Sequence, residues 1–342
     1  MITALIIIFA LGYFAITLEH TIKISKSATA LITAVLCWTL IISNTSEKEQ
    51  IIGQLSHHLS SISEIVFFLL GAMTIVELID AHDGFQNITE RIKTTNKTKL
   101  VWLISLITFF LSAVLDNLTS TIVMMSILNK LIQDKKIKWL LLGLVIISSN
   151  AGGAFSPIGD VTTTMLWIGG QISPLNIIKQ TFLASLVSMV VPTLIINYII
   201  KGKIELKAHV ENNANFITNA FERNLIFYVG ICCLLFVPIF KTITHLPPYM
   251  GMFLSLGIIW TITELMHNKK HVNEKGVLSV SHALRKIDTP SILFFFGILM
   301  SISSLEAVGV LPQMASTLNN SIGNLNVVAI CIGLLSAVFD NV

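Results

Sequence analysis

Charge is scarce in this chain. Of its 342 residues only 12% are Asp, Glu, Lys or Arg, whereas 54% are hydrophobic, a balance that excludes an ordinary water-soluble domain. Cysteine is scarce too. Cys37, Cys232, Cys233 and Cys331 all lie in apolar runs without CxxC or Cys/His spacing, which favours packing over a disulfide framework or a metal centre. The chain has no HExxH, no GxSxG and no paired catalytic acids in a soluble segment, so nothing in it points to an enzyme. It also lacks a cofactor motif and a nucleic-acid-binding patch, so no cofactor and no nucleic-acid partner are expected. The first apolar stretch, Ile2 to Leu18, has no basic residues before it and no small-residue cleavage site after it, and it reads as a retained helix rather than a signal peptide.

What is present is a succession of apolar segments. At about 20 residues per crossing the length allows about ten of them. Lys and Arg cluster at Lys23 to Lys26, Arg91 to Lys99, Lys130 to Lys138, Lys201 to Arg223 and Lys269 to Lys286, which hold 19 of the 22. By the positive-inside rule those turns are cytoplasmic. The apolar piece Leu100 to Leu128 is then basic on both flanks and must enter and return on the same side. It reads as a re-entrant hairpin with arms of 16 and 11 residues and Asp116-Asn117 at its tip. The next crossing contains three glycines and a proline within the eight residues 152–159. Such a run cannot stay helical, so the crossing should be a broken helix, with Thr162 to Thr164 capping its second half.

The chain also contains a duplicate of its own tip. Leu111 to Asn117 returns as Leu335 to Asn341 with one change, Phe339 for Leu115. A carboxylate near the bilayer centre costs at least about 2.5 to 3.5 kcal/mol, so two such positions ask for a functional reason. Phe67 to Gly71 aligns loosely with Phe294 to Gly297, and the two segments run in opposite directions under the charge rule. Inverted repeats with broken helices that meet near mid-membrane are the architecture of secondary transporters. The expected fold is an all-α polytopic membrane protein, an inverted-repeat secondary transporter with re-entrant hairpins and broken helices and an incomplete second repeat. The division is into scaffold helices (1–61), a first inverted repeat (62–200) holding the hairpin 100–129 and the broken helix 138–170, a cytoplasmic connector (201–223), scaffold helices with a cytoplasmic loop (224–289), and the start of the second repeat (290–342).

Three stretches carry a family likeness. Glu77 to Phe85, Ser112 to Thr121, and Ser149 to Thr164, the last being the most specific, resemble the NhaD-type sodium/proton antiporters of the ion transporter superfamily. The likeness covers about Phe67 to Asn341 and is strongest before Gly170. It implies a homodimeric, multi-pass exchanger of the bacterial inner (cytoplasmic) membrane that expels Na⁺, sometimes Li⁺, in return for protons. The moving unit would be built from the two hairpins and the two broken helices.

The residues support cation exchange on their own chemistry. A hard cation takes carboxylate, amide, hydroxyl and carbonyl oxygens, and the tip and the break offer Asp116, Asn117, Thr119, Ser149, Asn150, Asp160 and Thr162. Asp340 and Asn341 would do the same in the second copy. Na⁺ itself is assigned to Asp116, Asn117, Ser149 and Asn150. A buried carboxylate that holds either a proton or a cation, and moves only when neutralised, makes an exchanger without a separate coupling device. Asp160 has a competing role as a helix cap. Glu77 and Asp80 lie three apart near a cytoplasmic end, as a proton relay or as an interfacial pair. His82-Asp83 reads as a helix-end turn, while His57, His58, His209, His267, His271 and His282 fall in polar loops and are expected to be solvated.

By symmetry Asn341 should be followed by a returning arm and a second broken helix. The 342 residues hold neither, so the chain reads as truncated at the second tip, and a non-transporting remnant stands as one alternative. The other is a different permease of the superfamily, carrying arsenite or a dicarboxylate, which carboxylates at the tip disfavour.

Overall fold

The computed structural model describes residues 1–89, 92, 94, 96–132, 134–200, 218–268 and 276–338. In chain order the helices are α1 (Ile2–Thr17), α2 (Glu19–Ile22), α3 (Lys26–Ser43), α4 (Lys48–Ala81), α5 (Gln86–Thr89), α6 (Lys97–Leu115), α7 (Asn117–Leu131) and α8 (Lys135–Ala154). They continue with α9 (Val161–Ile168), α10 (Pro174–Ile199), α11 (Ala220–Thr244), α12 (Pro248–His267), α13 (Val280–Lys286), α14 (Thr289–Ala307), α15 (Val310–Ile322) and α16 (Leu325–Val338). The described residues contain no strand.

Helix starts follow local chemistry. Ser25, Asn96, Asp116, Asp134, Ser173, Ser279 and Asp288 each accept a backbone N–H of the first turn that follows, satisfying donors that the helix itself leaves unpaired. Proline opens α10, α12 and α14, where its missing N–H costs nothing.

Eight of these helices, α3, α4, α6, α8, α10, α11, α12 and α14, are long and apolar enough to cross a membrane. Leu11, Val35, Leu183, Ile243 and Leu265 are each more than 60% exposed. Apolar surface on that scale needs lipid rather than water around it. The protein is an all-α, multi-pass membrane protein.

The chain divides into two compact units, Met1–Phe67 with Asp288–Val342, and Phe68–Ile287. In the first, α14 lies along α3. A Cβ on Gly297 would stand 2.8 Å from the Ala30 carbonyl carbon, so a small residue is what lets these two backbones approach. Ser27 Oγ donates to the Pro290 carbonyl at 2.6 Å, and Trp38 Nε1 donates to the Met300 carbonyl at 2.9 Å. Cys37, Trp38, Ile41, Ile62, Met300 and Leu305 fill the core between them.

In the second unit, residues 68–81 of α4 pack with α11 and α12. Gly71 sits against Met252 and Gly230 against Ile79. The same unit holds α6 and α8 side by side, with α7 and α10 packed on α8. Thr193 on α10 donates to Ser105 on α6 at 2.9 Å between fully buried side chains.

Three expectations about local structure change. The segment before Ile62 is helical, because Ile51, Leu55 and Ile62 recur at helical spacing and pack on the first unit's core; His57 and His58 therefore lie within α4. The two arms about Asp116 are 19 and 15 residues, longer than the apolar runs alone, because lysines and an Asn96 cap let a helix continue past its apolar part. His267 is the last residue of α12 and is 2% exposed; its Nε2 lies 2.9 Å from His82 Nε2, so it is packed rather than solvated. His209 and His271, with most of the 201–223 connector, lie outside the described residues.

Candidate cation site

A single residue separates α6 from α7. Asp116 ends one helix and caps the next with φ 109° and ψ 159°, a conformation that costs a non-glycine residue about 1 to 3 kcal/mol and persists only where its surroundings enforce it. The enforcement is visible. Asp116 Oδ1 accepts from the Thr119 backbone N–H at 2.7 Å, and Oδ2 accepts from the Thr119 hydroxyl at 2.7 Å. Asp116, rather than Asp160, is the carboxylate that caps a helix through its side chain.

The second interruption lies at residues 155–160, between α8 and α9. Bare backbone meets bare backbone here. A Cβ on Gly152 would stand 2.0 Å from the Phe109 carbonyl oxygen, and one on Gly159 would stand 2.5 Å from that of Ser112. Only glycine permits the approach. Hydroxyls then stitch the two segments together: Ser112 Oγ donates to the Ser149 carbonyl at 2.6 Å, and Ser156 Oγ donates to the Ala113 carbonyl at 2.5 Å. Thr163 and Thr164 donate their hydroxyls to the carbonyls of Asp160 and Pro157. They therefore satisfy acceptors in the break and do not act as the N-terminal caps expected of them.

These contacts bring the tip and the break together at Asn117. Its Nδ2 donates to Asn150 Oδ1 at 2.9 Å and to Asp160 Oδ1 at 3.4 Å, while its Oδ1 accepts from the Leu118 N–H at 2.9 Å. Asp116 is the preceding residue. Two carboxylates and two carboxamides thus form one cluster, with Asn150 exposed and Asp160 half-buried. Ser149 is fully buried, and its hydroxyl shares a 2.7 Å hydrogen bond with Thr121 Oγ1, joining α8 to α7. Thr162 is exposed in the first turn of α9.

Glu77 is engaged elsewhere, in a 3.3 Å ion pair with Lys286 of α13, and Asp80 is exposed one turn further on. Asp340 and Asn341 lie outside the described residues. Sequence reasoning did not assign Ser112, Thr121 or Ser156 to the site, although all three fall inside the motif stretches Ser112 to Thr121 and Ser149 to Thr164.

The citrate transporter family matches residues 5–342. The Na(+)/H(+) antiporter NhaD of Vibrio cholerae is 28% identical over 375 residues, covering 99% of this chain and 75% of the relative. Sodium/proton antiporter 2 of Arabidopsis thaliana is 46% identical over 341 residues, covering 98% of this chain and 80% of the relative. The chain belongs to the NhaD-type antiporter family. A second plant relative of this NhaD-type protein, Sodium/proton antiporter 1 of Arabidopsis thaliana, is 45% identical over 341 residues; they are 99% of this chain and 58% of that relative's length. The match to these antiporters spans 98 to 99% of this chain.

Proposed function

We propose that the protein exchanges Na⁺ for protons across the membrane, with Asp116, Asn117, Asn150 and Asp160 as the cation site. The observation that supports this most is the position of Asn117, hydrogen-bonded across both interruptions and adjacent in sequence to Asp116. A carboxylate offers about four lone-pair positions. Thr119 takes two of those on Asp116, leaving two for a cation. The second lone pairs of Asn117 Oδ1 and Asn150 Oδ1 remain for the same ion, and Asp160 brings a second negative charge. A proton on the Asp116 carboxyl group balances the same single charge that the cation balances, so the two ligands substitute for one another. Exchange follows if the site changes sides only when it holds one or the other. Ser149 supports the site by fixing α7 on α8, and Thr162 adds a hydroxyl at the mouth of α9.

The finer architecture is part of the same reading. The basic flanks at Lys97–Lys99 and Lys130–Lys138 support a topology with both ends of the α6–α7 pair on the cytoplasmic side, and the repeated tip at Asp340-Asn341 supports an inverted second copy that begins near residue 290. Glu77 and Asp80, at the cytoplasmic end of α4, provide a route for the proton. A homodimer in a bacterial inner membrane is the expected assembly, although the relatives named above include plant as well as bacterial proteins.

The family description speaks of citrate, which sets the competing reading. A tricarboxylate facing Asp116 and Asp160 would meet like charge on both sides. The test is proton flux in inverted membrane vesicles carrying the protein. Na⁺ addition collapses an imposed pH gradient, Asp116→Asn at equal abundance does not respond, and citrate neither elicits flux nor is taken up. Citrate uptake with no Na⁺-elicited proton movement would replace this account with the anion reading.

A further inference from the structure

Helix α9 has only eight residues. A helix that short is marginal by itself, so its placement depends on what holds its ends. Its N-terminal end carries Asp160. Its C-terminal end is held at Trp167, which is fully buried and meets Phe68 edge-on with ring centroids 6.2 Å apart. The Trp167 carbonyl lies in the last turn and accepts the Gly170 N–H at 3.1 Å. It also accepts a hydrogen bond from Lys241 Nζ at 2.9 Å, and the same ammonium lies 4.9 Å from the centre of the Trp167 ring.

Lys241 belongs to the last turn of α11. It brings a cation to the negative end of the α9 dipole while Asp160 stands at the positive end. The ammonium engages a carbonyl and an aromatic face of one residue, which fixes that end of α9 more narrowly than either contact alone.

We propose that Lys241 is a positioning residue for cation exchange: it anchors the C-terminal end of α9 so that the N-terminal end presents Asp160 to the site. This rests on the assignment of Asp160 to the cation site. Lys241 does not touch the ion. Its effect reaches the site through the two turns of α9.

The test is the Na⁺ dependence of proton flux in vesicles for Lys241→Gln, Lys241→Arg and Asp160→Asn, at matched membrane abundance. Lys241→Gln, which loses the charge, raises the apparent KM for Na⁺ on the order of tenfold, the scale of a desolvated cation–aromatic contact, and leaves the maximal rate largely intact. Lys241→Arg keeps KM within about twofold, because a guanidinium retains both charge and donors. An unchanged KM in Lys241→Gln, with Asp160→Asn impaired, overturns the positioning role and leaves the site standing. An unimpaired Asp160→Asn overturns the site assignment instead. If Lys241→Gln does not accumulate, Lys241→Arg decides: a retained KM supports the proposal, and a tenfold rise in a fully accumulated protein overturns it.

Discussion

Asp116 is held by a neighbour three residues away. Both of its carboxylate oxygens accept from Thr119, one from the backbone and one from the hydroxyl. In Thr119→Val the backbone bond survives and the hydroxyl bond is lost. Hydrogen bonds to a charged group contribute about 1.5 to 3 kcal/mol, so the ionised carboxylate becomes less favourable and the proton competes better. The apparent KM for Na⁺ at fixed pH should rise on the order of tenfold, read from Na⁺-titrated proton flux. An Asn117→Ala change should act more severely, since it removes a side chain that hydrogen-bonds to both Asn150 and Asp160. The acid-amide pair was legible in the sequence because it is duplicated and sits where a charge is expensive. The double use of Thr119 was not, because it depends on a positive φ at Asp116 that no residue pattern announces. The Thr121–Ser149 bond was equally hidden, since it requires knowing which face of α7 lies on α8.

Among the elements, the break after α8 is where glycine matters. The interruption itself was visible in the run of three glycines and a proline. What they serve was not: Gly152 and Gly159 let the end of α6 lie directly on the break. Gly152→Ala places a methyl group 2.0 Å from the Phe109 carbonyl oxygen, and overpacking of this kind costs about 1 to 3 kcal/mol or more. Thermal unfolding in detergent should show a clear loss of stability together with loss of transport. Gly143→Ala in the same helix is the control, since nothing lies within 4 Å of its Cβ position; it should be neutral or stabilising by up to about 1 kcal/mol. Periodicity failed at α4 because its first turns are polar on most faces. Only Ile51 and Leu55 reach the core there, too sparse a signal against the surrounding Ser, His and Gln.

At the scale of the molecule, each unit is held by close helix contacts and buried hydroxyl bonds. The cluster at Asp116 and Asp160 lies within the second unit. If it binds Na⁺ in the folded protein alone, Na⁺ stabilises by mass action, about 2.7 kcal/mol at a hundredfold excess over Kd. The unfolding midpoint should rise with NaCl relative to choline chloride, and the rise should vanish in Asp116→Asn. This chain corresponds to 58% of one plant antiporter's length and 80% of another's. The family was legible from three short motifs, whereas the pairing of the two interruptions through Asn117 required the fold.

The central claim is that one carboxylate site holds either a proton or a cation, and the most direct measurement is the apparent KM for Na⁺ as a function of pH in vesicles with no imposed membrane potential. Competition predicts that KM rises as pH falls, by at least about tenfold per unit where the site is mostly protonated, with an unchanged maximal rate. A KM independent of pH, with only the maximal rate falling in acid, would mean that proton and Na⁺ occupy different sites and would contradict the account.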